Sequence, residues 1–108
     1  MEFSEYQKRA KETATYPERH RLVYPVIGLG GEAGEVLNKL QKLMRDKGME
    51  LTEEDRRGLA LELGDVLWYV SAVASDLGFD LEEVASLNIA KLKSRMDRGV
   101  VGGSGDNR

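Results

Sequence analysis

The chain has no cysteine, one histidine, two prolines and one tryptophan in 108 residues. Without cysteine there can be no disulfide, no thiolate zinc site and no thiol nucleophile. One histidine cannot build a poly-histidine metal site, and His20, inside the charged run ERHR, reads as surface. Neither sign of charge dominates. Sixteen Lys+Arg against nineteen Asp+Glu give −3, which argues against a broad nucleic-acid-binding face. No uninterrupted apolar run approaches the ~20 residues of a membrane span. The opening MEFSEYQKRAKE also lacks the apolar stretch of a signal peptide, so a cytoplasmic protein without membrane or nucleic-acid partners is expected. Chemistry must then rest on carboxylates, lysines, arginines and hydroxyls. The apolar share of 41% and charged share of 32% fit a folded chain, read as one domain over residues 1–108.

What is present is helical periodicity. Ser4 with Gln7 reads as a capping box opening a helix over residues 4–15, ended by Tyr16-Pro17 because a residue before proline avoids the α region. A second helix is expected from about Pro25 to Gly48, with Val26, Leu29, Ala33, Val36, Leu40 and Leu43 on one face. Thr52, followed by Glu53, Glu54 and Asp55, starts a third, which runs to a stop at Gly78. Asp80 with Glu83 opens a fourth, fading near Gly99. Four of the last ten residues are glycine, so residues 98–108 read as an irregular tail. The fold class is all-α, a four-helix-bundle-like protomer. Between residues 66 and 74 the third helix is apolar all round (Val66, Leu67, Trp68, Tyr69, Val70, Ala72, Val73, Ala74), and such a helix needs cover on every side. So short a chain cannot supply it alone. A homo-oligomer, dimer or tetramer, is expected.

The segment GLGGEA at residues 28–33 matches the G-x-G-x-x-G/A dinucleotide fingerprint, with Glu50 near the position of a ribose-binding acid. Its context is wrong. Pro25 falls in the would-be central strand, and no further strands follow. The glycines read instead as positions where a helix or ligand comes close to the backbone.

Two carboxylate pairs carry the chemistry. Glu32-Ala33-Gly34-Glu35 and Glu62-Leu63-Gly64-Asp65 each set two acids at i and i+3, on one side of a helix and inside apolar sequence. Desolvating ionised carboxylates there costs several kcal/mol apiece unless something compensates. No lysine or arginine lies between Val23 and Gly34 or between Gly58 and Ala90. Lysines on a neighbouring helix, or water, could compensate. A hard divalent cation does so more directly, since magnesium prefers oxygen ligands and two ions would offset four charges.

The segments GLGGEAGEVLNKLQK and ELGDVLWYV resemble the MazG-like nucleotide pyrophosphohydrolases of the all-α NTP pyrophosphatase superfamily, in particular single-domain phage and bacterial members. The resemblance covers nearly the whole chain and implies hydrolysis of a nucleoside triphosphate to the monophosphate and pyrophosphate. It implies Mg²⁺ (with Mn²⁺ as a possible substitute) on Glu32, Glu35, Glu62 and Asp65, with Glu35, then Glu32, as candidates to activate water. Gly31 stands where many members carry a further glutamate. Lys91 and Arg95 match the family's K-[LF]-x-x-R phosphate pattern, with Lys39 as a further phosphate contact and Arg108 on a tail able to fold over the nucleotide. Trp68, three residues after Asp65, is the first candidate to stack on a base, with Tyr6, Tyr24 and Asn88 behind it. The alternatives are a related phosphoribosyl-ATP or dUTP/dCTP pyrophosphohydrolase, or a non-catalytic helical oligomer serving regulation or interaction.

Overall fold

A computed structural model describes all of residues 1–108 and contains helices and no strand. In chain order they are α1 (Phe3–Lys11), a 3₁₀ turn (Glu18–His20), α2 (Val23–Lys47), α3 (Glu53–Asp76) and α4 (Leu81–Asp97). Local chemistry sets most boundaries. Thr52 Oγ1 accepts from the Asp55 backbone N–H while the Asp55 carboxylate accepts from Thr52 N–H, a complete capping box. Asp80 and Glu83 form the same box for α4. Gly48 ends α2 in the left-handed region at φ +60°, where a side chain would be strained.

Two helices differ from the sequence reading at their ends. α1 begins at Phe3 with Glu2 as its cap, so Ser4 lies inside the helix, and it ends at Lys11 rather than residue 15. The Thr13 hydroxyl donates to the Ala10 carbonyl at 2.8 Å, a local bond that competes with further helix. α2 begins two residues before Pro25, which falls in the first turn, where the missing N–H has no helical partner to lose. Its cap, Leu22, takes the unusual φ of +65°, held by its N–H donating to the Asp76 carboxylate at 2.9 Å. GLGGEA lies wholly within α2, so no strand precedes it.

The centre of the fold is the hairpin of α2 and α3, joined by residues 48–52 and sharing the most extensive helix contact in the chain. α1 and α4 both pack on α3 and on each other, while α2 and α4 share no substantial packing, so four helices do not close into a bundle within one protomer. Gln7 ties the α1–α3–α4 corner. Its amide nitrogen donates to Ser75 Oγ (3.0 Å) and to the Phe79 carbonyl (2.9 Å), and its amide oxygen accepts from Leu81 N–H (2.7 Å).

The protomer is open. Only seven residues of 108 are buried, and the apolar core among them is Ala72, Ala74 and Leu81. The radius of gyration is 16.7 Å, against ~13 Å for a compact chain of this length. The accessible surface is 8099 Å², roughly 2,000 Å² more than the ~6,000 Å² of a compact monomer of this mass. Ile27, Leu37, Leu61, Leu63, Leu87, Ile89 and Met96 are all exposed. α3 is long and apolar enough, by length and composition alone, to cross a membrane. Glu62 and Asp65 interrupt its sequence, which is why no continuous run is visible there.

Replacing Gln7 by Leu leaves the Leu81 N–H and the Phe79 carbonyl without partners in a buried corner. The expected cost is about 1–3 kcal/mol, read as a lower urea midpoint at unchanged slope; a wild-type midpoint would show that the corner does not depend on this amide.

Candidate functional site

Glu32 directly follows Gly30 and Gly31 in α2, and Glu62 and Asp65 lie midway along α3. The hairpin brings one carboxylate oxygen from each of the three within 4.8 Å of the others. Glu32 and Glu62 are half-buried and Asp65 is exposed, so the group opens to solvent on one side. Desolvation, together with the charges of Asp65, Glu62 and Glu35, holds the Glu32 carboxyl above the usual carboxylate range. The oxygens are hard donors and no nitrogen or sulfur ligand accompanies them, which fits a divalent cation such as Mg²⁺ or Mn²⁺.

Glu35, the fourth acid, is not part of this three-carboxylate group. It is exposed one turn along α2, on a groove that it shares with Asn38, Lys39, Lys42 and Glu62. Lys39 reaches across the hairpin and donates to Glu62 Oε1 at 3.2 Å and to the Gly58 carbonyl at 3.4 Å. A lysine on a neighbouring helix therefore supplies part of the compensation the acids need. The stretch free of basic residues in sequence is not free of them in space.

The glycines play unequal parts. At Gly28 an added Cβ would overlap the Tyr69 ring, so this glycine lets Tyr69 lie against α2 beside the acids. Gly30, Gly31, Gly34 and Gly64 have open space where a Cβ would stand. Close packing within the chain explains the first and not the others.

Trp68 borders two pockets. One is a shallow opening shared with Thr13, Glu32, Asp65 and Tyr69. The other is a cavity of about 160 Å³ lined by Ala10, Ala14, Tyr16, Ser71 and Asp76 among others. The indole N–H donates to Thr13 Oγ1 at 2.8 Å, and its ring meets Tyr69 edge-on at 5.0 Å. Tyr16 stacks on Tyr24 with centroids 4.9 Å apart. Ser71 is 1% exposed and its hydroxyl has no partner. Buried hydroxyls normally have one, so this oxygen is a spare polar group at the wall of the cavity.

Three side chains here escaped the sequence reading: Ser71, Thr13 and Asp76. Asp76 had a signal, since an acid in the last turn of a helix opposes the dipole and α3 has no basic residue there. Its Oδ2 accepts from the Tyr16 hydroxyl at 2.7 Å as well as from Leu22 N–H, so it fixes the entry to α2 and the cavity wall together. Tyr6 lies near enough to the acids that Asp65, after burial, raises its phenol pKa.

Unlike Lys39, Lys91 and Arg95 lie apart from the acids in sequence and on α4, whose packing is with α1 and α3. Lys91 and Arg95 both hold the carboxylate of Asp106. The Arg108 guanidinium donates to the carbonyls of Val100, Val101, Gly102 and Gly105, all within its own tail. Asn88 and His20 are exposed.

Residues 26–100 match the MazG nucleotide pyrophosphohydrolase domain family. The chain is also 49% identical over 109 residues to the Gene 37 protein of Mycobacterium phage L5, covering 95% of this chain and 96% of that one. No solved structure matches it.

Burial, the Asp76 hydrogen bond and the Asp76 charge push the Tyr16 phenol up to about 12. Its folded value thus exceeds the unfolded value of about 10, so the neutral phenol favours the folded state. That contribution is fully present below pH ~10 and is lost as pH rises towards ~12. Tyr16→Phe is expected to lower stability at neutral pH by about 1 kcal/mol, with the gap to wild type closing across that window. A gap that stays constant through the alkaline range would exclude the Tyr16–Asp76 bond as its source.

Proposed function

The chain belongs to the MazG nucleotide pyrophosphohydrolase family, and on that footing we propose that it cleaves nucleoside triphosphates to the monophosphate and pyrophosphate with Mg²⁺. The observation that carries this reading is the meeting of Glu32, Glu62 and Asp65 oxygens within 4.8 Å. Three carboxylates held so close from two helices repel one another, and a divalent cation is the partner that makes the arrangement favourable. Mg²⁺ bound there, or Mn²⁺ in its place, would supply charge for the polyphosphate and acidify a water.

The protein's own groups then divide the remaining work. Glu35, exposed beside the trio, joins it as a ligand or takes the proton of the attacking water; Glu32 is the second candidate for that proton. Lys39 balances Glu62 and is placed to meet a phosphate oxygen along the same groove. Trp68 separates the acids from the cavity beyond, which gives a nucleotide a route with phosphates at one side of the indole and base at the other. There the unpartnered Ser71 hydroxyl and the Tyr16 ring are the groups a base would meet. Lys91 and Arg95 are assigned to the outer phosphates, with Asn88 and Arg108 as neighbours from α4 and the tail.

We also infer a homo-oligomer in the cytoplasm. The roughly 2,000 Å² of surplus surface per chain is the scale of an obligate interface. Leu87, Ile89 and Met96, between 62% and 69% exposed, put much of it on α4. A second copy seated there would place the α4 basic residues within an assembly.

The direct test is product analysis over a panel of NTPs and dNTPs (phosphoribosyl-ATP, dUTP and dCTP included), with Mg²⁺, Mn²⁺ or chelator. Monophosphate and pyrophosphate should appear only with metal, and Asp65→Asn should lower kcat by about 10²-fold or more. Mn²⁺ binding followed by electron paramagnetic resonance should weaken in the same variant. Wild-type turnover in Asp65→Asn, or metal-independent turnover, would refute the site; no turnover at all with intact helicity would favour the non-catalytic oligomer.

For the assembly, Ile89→Asp should shift light-scattering mass to that of a monomer. An unchanged mass would take α4 out of the interface.

A further inference from the structure

The glycine-rich tail is folded, and its fold brings an acid onto the basic pair. Gly99, Gly103 and Gly105 take φ of +69°, +92° and +87°, values that let the chain curl back sharply. Arg108 fastens the curl by donating to four carbonyls of residues 100–105, and Arg98 donates to the Arg108 carbonyl oxygen. The outcome is that Asp106 Oδ1 lies 3.2 Å from Lys91 Nζ and 3.3 Å from Arg95 Nη2. Arg95 Nη2 also donates to the Gly105 and Asp106 carbonyls at 3.4 and 3.2 Å.

The two partners are unequally exposed. The Arg95 side chain is only 7% exposed, whereas that of Asp106 is 83% exposed. The carboxylate therefore sits as an outer cover on an inner guanidinium. Arg95 Nε is buried with no partner, so one carboxylate does not saturate this cation. Lys91 and then Arg95 hold the Asp106 carboxyl below its usual range, so the cover is charged at neutral pH.

We propose that Asp106 is an internal stand-in for a phosphate, and that the tail is an autoinhibitory latch displaced when a polyphosphate reaches Lys91 and Arg95. The proposal rests on the reading of that pair as phosphate contacts. A phosphate group carries more charge and more acceptor oxygens than a carboxylate, so it outcompetes Asp106 for the same two cations. The exposed side of the carboxylate leaves a free path for the exchange. Closure of the latch lowers apparent affinity by the fraction of molecules that are open, without touching the acids that carry the chemistry.

The probe is inorganic tripolyphosphate in metal-free buffer, where the carboxylate trio contributes no attraction, on full-length wild type, Asp106→Asn and Lys91→Ala. Calorimetry should show about three- to tenfold tighter binding to Asp106→Asn and weaker binding to Lys91→Ala. Amide exchange over residues 100–108 should rise when tripolyphosphate saturates the wild type. With nucleotide and metal, Asp106→Asn should lower KM and leave kcat unchanged. If Lys91→Ala weakens binding but Asp106→Asn does not tighten it, or the tail stays protected with tripolyphosphate bound, the latch is wrong and the phosphate reading survives. If Lys91→Ala binds as wild type, the phosphate reading falls and takes the latch with it.

Discussion

Three like charges forced together across two helices are the constraint around which this chain is organised. Glu32, Glu62 and Asp65 meet because α2 and α3 form a hairpin, and the i, i+3 spacing points each pair to one side of its helix. Repulsion among them works against the hairpin in the absence of a counter-charge, and together with desolvation, the larger cause, it raises the Glu32 carboxyl. The surrounding sequence holds the helices together regardless. Gly28 admits the Tyr69 ring against α2, Lys39 crosses to Glu62, and Asp76 clamps the entry of α2 to the end of α3. The site is thus held open by packing on one side of the acids and by hydrogen bonds at the far end of the hairpin.

The same hairpin explains why the protomer is a poor globule. Two helices of about 36 Å, at ~1.5 Å per residue, expose more apolar surface than two shorter helices can cover. The sequence pattern placed the excess in the middle of α3, but those side chains are half-covered by the chain itself. The uncovered residues are along α2, at the start of the acidic stretch of α3, and along α4. All-round apolarity marked residues 66–74 as needing cover, and the chain itself supplies most of it; the exposed apolar residues lie elsewhere because periodicity says nothing about which neighbour arrives first.

Legibility followed the range of the interactions. Boundaries set by neighbours in sequence were readable: Thr52 with Asp55, Asp80 with Glu83, Gly48 and Gly78. Glu62 and Asp65 were readable as neighbours from their spacing alone, whereas Glu32 joins them and Glu35 does not because of how α2 is turned against α3. Gln7 was misread because its residue type and spacing suit a capping box equally well. Its partners lie 68 to 74 residues away. Lys39 on Glu62 and Asp76 under Tyr16 are likewise contacts between distant segments, and only a fold can reveal them. The tail was legible as irregular from its glycines. That the irregularity is a specific curl, with Arg108 turned inward and not outward, depends on carbonyls that no sequence pattern marks.

The two sides of the proposed site share one electrostatic logic. The carboxylate cluster has Lys39 on one of its carboxylates, and the basic pair on α4 has Asp106 on both of its cations. Each internal ion pair offsets part of the cost of holding like charges together, yet each includes a well-exposed member: Asp106, at 83%, on the anion side and Lys39, at 41%, on the cation side. The inner member of each pair, Arg95 at 7% and Glu62 at 23%, is the more covered one, so an incoming ligand can take the place of the outer partner while the inner charge stays paired. A magnesium polyphosphate carries both kinds of charge, so under the proposed function it offers a counter-charge to each of the two clusters.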